Sequence, residues 1–405
     1  MSHFLFNELP VISSQGKYIL FSPYTREKII IDNKDYFSEE LCNEINLLSP
    51  DFFQRPKEIV NDYLDRYNLV LSLTNDCNLR CTYCFVNGGH IKSRMTEELI
   101  EERIEESFKF IQNQDISNFQ LSFFGGEPTL CIDLIRHAIN FVNKQKPEDI
   151  KVSYSITTNG AFGKQVSDFI IENNIAVSLS MDGLPEVQNL QRPFENGAGS
   201  AKSVEKTITR LIKNNIYPKI RVTVTKVNCF HMPQIVKYLG NLGVKEIHFE
   251  PVTESGRGTN TPRPSREDFV SMLFEAIDIA SDNNMKILNS AYARLFTPSV
   301  HYCDGMGDKR KIINYDGSVS SCVEVNDLNH EAKDYFMVDD LTTETLVKNN
   351  PISDANDDCK VCFMKYNCAG GCPSRNYHVS GDIYKPDPYR CYVVKHVVPK
   401  IIERM

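Results

Sequence analysis

An address is missing from this chain. The segment Met1-Ser2-His3-Phe4-Leu5-Phe6-Asn7-Glu8-Leu9-Pro10 has no basic stretch followed by a sustained apolar run, and no later stretch is apolar for long enough to cross a bilayer. A cytoplasmic protein is expected. An excess of positive charge is missing too: 45 Lys and Arg stand against 53 Asp and Glu, a net charge of −8. That balance argues against nucleic acid or a membrane surface held by bulk charge. Long disorder is also unexpected, since 41% hydrophobic and 24% charged residues are the proportions of a packed chain. At 405 residues there is room for a barrel-sized core and one or two smaller domains.

Cysteine, by contrast, is plentiful, with thirteen residues. A reducing compartment disfavours disulfides, so metal or cluster ligation is the better reading. Three of the cysteines lie in Asn75-Asp76-Cys77-Asn78-Leu79-Arg80-Cys81-Thr82-Tyr83-Cys84-Phe85, a CxxxCxxC directly after an apolar run. Soft thiolates select iron–sulfur clusters or zinc. Three thiolates on a four-iron cluster leave one iron free to bind something else.

From about residue 67 the pattern alternates between β-branched runs and helical periods. Strands are expected at Asn68 to Thr74, Phe119 to Phe124, Val152 to Thr158, Ala176 to Ser180, Ile220 to Thr225 and Glu246 to Val252. Helices are expected at Thr96 to Gln112, with Thr96 as N-cap and Glu97 and Glu98 in the first turn. Further helices fall near Cys131 to Asn143, Gly163 to Asn173, Ser200 to Asn214, His231 to Leu239 and Ser265 to Asn283. Six βα units favour parallel strands with right-handed crossovers, too few for a closed eight-stranded barrel. The fold class is therefore α/β, a partial (β/α)6 TIM-type barrel over residues 68–290.

Residues 1–67 read as a small N-terminal α+β domain: a hairpin of Lys17 to Phe21 and Lys28 to Ile31, then helices near Ser38 to Leu48 and Pro56 to Tyr67. Residues 291–405 read as short polar segments rich in cysteine, unable to build a large apolar core and cross-linked instead by metal.

The strand ends carry the chemistry. The second strand runs into Phe124-Gly125-Gly126-Glu127-Pro128, the third ends at Thr157-Thr158-Asn159-Gly160, and the fourth runs into Ser180-Met181-Asp182-Gly183; Arg192 follows in Asn189-Leu190-Gln191-Arg192-Pro193. Each piece alone is weak, and a glycine turn before a helix is the plain reading of the first. Their order on consecutive strands resembles the radical S-adenosylmethionine (SAM) superfamily. That resemblance implies a 4Fe–4S cluster on Cys77, Cys81 and Cys84 whose open iron binds SAM. It implies SAM contacts from Gly125, Gly126 and Glu127 to the amine, from Ser180 to ribose or carboxylate, from Thr158, Asn159 and Asp182 nearby, and from Arg192 to the carboxylate. Tyr83 and Phe85 would shield the cluster or pack on adenine, or serve as ordinary core aromatics.

The cysteine pattern farther along is sharper. Cys303, then Gly317-Ser318-Val319-Ser320-Ser321-Cys322, then CxxCxxxxxCxxxC over Cys359, Cys362, Cys368 and Cys372, then Cys391, resembles the SPASM extension of radical SAM enzymes. It implies two auxiliary 4Fe–4S clusters, one on Cys303, Cys322 and Cys372 and one on Cys359, Cys362, Cys368 and Cys391. The first set is short of a ligand, leaving His301, Asp304 or Asp308 to complete it, or an iron open to a substrate thiolate. Cys42, Cys131 and Cys229 remain as buried structural thiols. Structural zinc is the bland alternative for the tail.

The resemblance implies an oxidoreductase acting through a 5′-deoxyadenosyl radical, served by a reducing partner such as flavodoxin or ferredoxin, with no nucleic-acid or membrane partner. Its expected product is a carbon–carbon or thioether cross-link in a ribosomally made precursor peptide, residues 1–67 being a candidate leader-recognition domain (RRE-like). The alternative is an anaerobic sulfatase-maturing enzyme forming formylglycine. Against it, those maturases carry an aspartate after the GxxxxC cysteine, where this chain has Val323. A non-catalytic iron–sulfur or zinc-binding regulator would leave the SAM motifs unexplained. Glu250, Arg257, Tyr302, Tyr315 and Glu324 lie near strand ends or the first auxiliary loop without a secure acid or base role, and the catalytic residues stay unassigned.

Overall fold

The computed structural model describes residues 3–53, 66–114 and 116–405. The chain divides into two compact units. The smaller takes the described residues of Met1–Leu64 with Ser290–Gly307 and Leu346–Met405; the larger takes Asp65–Asn289 and Asp308–Thr345.

In the smaller unit, β1 (Phe4–Phe6), β2 (Leu9–Ser14), β3 (Lys17–Phe21) and β4 (Lys28–Ile31) form an antiparallel sheet in that order. The expected hairpin is β3–β4, and two further strands precede it. Leu9, Val11, Leu20 and Ile31 bury one face of the sheet with Ile45 and Phe52. Ile45 comes from the helix Glu39–Leu48, whose N-cap Ser38 accepts from the Leu41 N–H. Cys42 on this helix is only half-buried, not the buried thiol expected, because the helix seals a single face. The helix expected at Pro56 to Tyr67 lies outside the described residues except for its last two positions, which are strand.

The unit also holds the helix Pro388–Arg404, which buries Val393, Val394, Val397, Val398 and Ile402. The cysteine-rich segment thus contains a helix with a buried apolar face.

The larger unit is built on a parallel sheet. Its strands are β5 (Arg66–Ser72), β6 (Asn118–Phe124), β7 (Lys151–Thr158), β8 (Ala176–Ser180), β9 (Lys219–Val224), β10 (Glu246–Pro251) and β11 (Lys286–Leu288), each hydrogen-bonded to the next. Six of these are the strands expected. On the other side of β5 the sheet continues through parallel β12 (Arg310–Ile313), then antiparallel β13 (Val319–Ser320) and β14 (Met337–Val338). The expected connecting helices are present: Glu97–Asn113, Ile132–Gln145, Lys164–Glu172, Ala201–Lys213, Met232–Asn241 and Arg266–Asp282. Thr96 caps the first, accepting from the Leu99 N–H at 3.2 Å.

Alternation along the strands gives the sheet two different faces. On β6, buried Phe119, Leu121 and Phe123 alternate with half-buried Asn118, Gln120 and Ser122; on β10, buried Ile247, Phe249 and Pro251 alternate with Glu246, His248 and Glu250. Gln120 donates to Ser155, and Ser122 links Asn68 and Ser155 at 2.7 and 2.8 Å, tying β5, β6 and β7 together on the polar face. Among the described residues no helix is long and apolar enough to cross a membrane.

Candidate active site

The CxxxCxxC loop leaves the C-terminal end of β5 and is held from three sides. Asp76 opens it: its carboxylate accepts from the Cys77 N–H at 2.8 Å, and its carbonyl accepts from the Glu127 N–H at 2.8 Å. Gly125 and Gly126 lie against the same stretch. A side chain on Gly125 would overlap the Thr74 carbonyl, and one on Gly126 the Asp76 and Asn75 carbonyls; Gly125 also has φ +141°. Only glycine permits this approach. On the second side, Arg257 donates Nε to the Cys81 carbonyl at 2.8 Å and its backbone N–H to the Cys84 carbonyl at 3.0 Å. On the third, Leu79 to Thr82 pairs antiparallel with Gln191 to Phe194, through Thr82 N–H to Gln191 O at 2.9 Å and Arg80 N–H to Pro193 O at 2.8 Å.

The thiols of all three cysteines meet N–H donors. Cys77 Sγ accepts from the Leu79 N–H at 3.4 Å and from Asn159 Nδ2 at 3.7 Å, Cys81 Sγ from Arg192 Nη1 at 3.8 Å, and Cys84 Sγ from the Gly88 N–H at 3.3 Å. Burial, and then the nearby Glu127, push the Cys77 thiol up to about 12; burial pushes Cys81 up to about 11 while Arg192 pulls it down. Three thiols grouped in a place where bare thiolates are costly, yet with donors aimed at sulfur, fit a cationic iron–sulfur core.

The sequence-derived SAM set divides in two. Glu127 is fully buried; its Oε1 accepts from the Thr129 N–H, Thr129 Oγ1 and Thr158 Oγ1 at 3.1, 2.6 and 2.7 Å, and its Oε2 from the Asn159 N–H at 2.7 Å. With these four partners its carboxylate braces the ends of β6 and β7. Asp182, also fully buried, accepts from Tyr83 Oη, from Gln191 Nε2 at 2.9 Å, from Arg192 Nε at 3.1 Å and from the Thr223 N–H at 3.1 Å. Arg192 is buried, not a solvated surface residue, and its guanidinium lies over the Tyr83 ring with 5.1 Å to the centroid. Ser180, half-buried at the end of β8, pairs in register with Arg221 of β9 on the polar face. Phe85 stacks on Phe124, with 6.3 Å between centroids.

The network has members that sequence reasoning did not assign: Gln191, Thr225, Asn228 and, for the loop backbone, Arg257. Only the glycines around Arg257 could have signalled it; Gly256 has φ +52°, and a side chain there would overlap the Cys84 and Phe85 carbonyls.

In the smaller unit, Cys359, Cys362, Cys368 and Cys391 line one pocket together with Gly370, Arg390 and Lys395. Burial first, then Cys368, Cys391 and Cys362, push the Cys359 thiol up to about 12. Cys391 rises to about 11 through burial and Cys368, against the pull of Lys395. Among the described residues no three His, Cys, Asp or Glu side chains form a single-ion site. These four thiols are walls around a volume, which suits a cluster.

Of the other auxiliary set, Cys303 and Cys372 belong to the smaller unit and Cys322 to the larger. Cys372 precedes the helix Pro373–Ser380, and Cys322 follows β13. Asp304 pairs with Arg294 at 3.2 Å, while Asp308 Oδ1 accepts from buried Lys311 at 3.0 Å and from the Thr345 N–H at 3.3 Å. Cys131 and Cys229 are buried as expected.

Comparison with known proteins bears on this geometry. Residues 71–239 match the radical SAM superfamily. The chain is 28% identical over 342 residues to a cysteine-type anaerobic sulfatase-maturating enzyme of Clostridium novyi (strain NT), covering 75% of this chain and 87% of that protein. Among solved structures, native anSMEcpe with bound AdoMet superposes with a TM-score of 0.66 at 22% identity, covering 83% of this chain and 97% of that one. Streptococcus suis SuiB bound to SAM gives 0.58 at 15% identity, covering 93% and 99%. Members of the matched superfamily bind SAM and a 4Fe–4S cluster, the pair that the thiol cradle after β5 fits. The chain belongs to the radical SAM superfamily.

Proposed function

We propose that this enzyme is a peptide maturase that installs a carbon–carbon or thioether cross-link in a ribosomally made precursor peptide. The observation that carries the reading is the pair of thiol sites, three donor-capped cysteines after β5 and four more around one pocket in the smaller unit. SAM with its cluster supplies hydrogen abstraction from an unactivated carbon, and the protein supplies orientation and exclusion of water.

In this reading Cys77, Cys81 and Cys84 hold the SAM-binding cluster. Gly125 and Gly126 let backbone carbonyls reach the amine, and Ser180 meets ribose or carboxylate. Glu127 with Thr158 and Asn159 fixes the strand ends, while Asp182 and Arg192 fix the loop. Cys359, Cys362, Cys368 and Cys391 hold one auxiliary 4Fe–4S cluster. The SPASM resemblance assigns Cys303, Cys322 and Cys372 to another, completed by His301, Asp304 or Asp308 or left with an iron open to a substrate thiolate. Residues 291–405 then act as a SPASM-type domain and residues 1–67 as a leader-binding domain, with flavodoxin or ferredoxin as reductant.

The choice of a peptide substrate is supported by the likeness to SuiB, which has been solved with its precursor peptide SuiA and whose fold covers 96% of this chain. Formylglycine formation on a sulfatase is the second reading, favoured by the similarity to the Clostridium novyi enzyme. The test is anaerobic turnover with a cysteine- or aromatic-rich peptide encoded beside the gene and with a sulfatase cysteine peptide, followed by fragmentation mass spectrometry. A peptide that loses two hydrogens and fragments as a loop supports the proposal; formylglycine in the sulfatase peptide alone replaces it with the second reading.

A further inference from the structure

Pairing of the cluster loop with the segment after the helix Pro185–Gln191 is antiparallel, with Leu79 opposite Phe194. The same register sets Cys81 opposite Arg192, and the hydrogen bonds Thr82 N–H to Gln191 O and Arg80 N–H to Pro193 O close on both sides of that pair. Arg192 is fixed further by its own backbone: its N–H donates to Gln188 O at 2.8 Å, and its carbonyl accepts from Ser200 Oγ at 2.6 Å. Its guanidinium then points one way only, with Nε on Asp182, Nη1 on Cys81 Sγ and its face on Tyr83. Asp182 in turn has two further side-chain donors, Tyr83 and Gln191. The side chain of Arg192 is 9% exposed and that of Asp182 0%, so little water screens the charge that reaches the sulfur.

We propose that Arg192 is a positioning residue for the cluster itself: anchored by Asp182, it holds a cation and an N–H donor against the Cys81 sulfur and so raises the reduction potential of the SAM-binding cluster, whether or not SAM is present. Hydrogen bonds to cluster sulfurs and nearby positive charge favour the reduced, more negative state. Asp182 faces the other side of the guanidinium, so losing the arginine would also uncover a buried anion beside the cluster. Both effects have the same sign. This inference rests on the reading that Cys77, Cys81 and Cys84 carry a four-iron cluster.

The test uses the full chain, reconstituted anaerobically without SAM, and an EPR-monitored redox titration. The signal of interest is the one absent from a protein carrying Cys77→Ala, Cys81→Ala and Cys84→Ala. Arg192→Gln is expected to move its midpoint to lower potential. Arg192→Lys, which keeps the charge but not the fork, should move it less in the same direction. If Arg192→Gln holds no iron at the site, the lysine variant decides alone: a downward shift supports the inference, and a wild-type midpoint overturns it. An unchanged SAM-free midpoint with weakened SAM binding would make Arg192 a clamp for the SAM carboxylate and overturn the inference. Absence of the signal from the wild-type protein is a different failure, that of the cluster reading.

Discussion

Substituting Glu127 separates two roles for that residue. If its carboxylate were held open for the SAM amine, its loss would matter only when SAM binds. In the structure it is sealed and accepts from two backbone N–H groups, Thr129 and Asn159, and from the hydroxyls of Thr129 and Thr158. Glu127→Ala leaves those amides buried without partners. Hydroxyls can re-aim, but amides cannot. At about 1–3 kcal/mol for each stranded amide, plus the lost volume, the cost is about 4 kcal/mol. Glu127→Gln can still offer one acceptor and should cost about 1–3 kcal/mol. Because the chain has two units, a single melting temperature is a poor reporter, and hydrogen exchange of β6 and β7 in the SAM-free protein is the assay. About 4 kcal/mol of local stability corresponds to roughly a thousandfold faster exchange. Burial raises the Glu127 pKa against the pull of its donors. The folded state therefore binds the proton more tightly than the unfolded one, and local stability falls as pH rises from the unfolded carboxylate pKa through the folded one. Glu127→Gln should abolish that slope. Exchange within about threefold of wild type in Glu127→Ala, together with weakened SAM binding, would refute the bracing role.

Gly126→Ala should displace the cluster loop, since the added methyl overlaps the Asp76 and Asn75 carbonyls, and iron analysis should find about four fewer irons per chain. In the iron-free protein, Cys77 and Cys81, with thiols pushed up to about 12 and 11, should alkylate at pH 8 roughly tenfold or more slowly than an ordinary thiol, the scarcity of thiolate outweighing its greater nucleophilicity. Reconstitution at that pH should release protons, which a weakly buffered titration will read. Cys359→Ala with Cys391→Ala should remove about four irons while leaving the cluster after β5 spectroscopically unchanged.

The strands β5 to β10 were legible because each is a β-branched run between helical periods, and the helix starts were legible from caps such as Thr96 and Ser265. The strands β1 and β2 were hidden by their turn. Asn7 and Glu8 both adopt positive φ, +47° and +65°, a conformation usually announced by Asn-Gly. The helix Pro388–Arg404 was hidden by its valines, which read as strand, and by the internal Pro399. At the site, cysteine spacing identified which thiols could ligate. It could not reveal that Glu127 and Asp182 turn inward, because side-chain direction at a strand end depends on donors contributed by other strands: Asn159 for one, Thr223 for the other. β12 is only four residues long, and its buried Lys311 breaks the apolar signature of a strand beside β5.

The most direct measurement is 5′-deoxyadenosine formed from SAM by the anaerobically reconstituted, dithionite-reduced enzyme. The account predicts its formation by the wild-type chain and its absence when Cys77, Cys81 and Cys84 are replaced by alanine. A wild-type protein that carries its full iron and sulfide but forms none, or that binds zinc in place of iron at these cysteines, would contradict it.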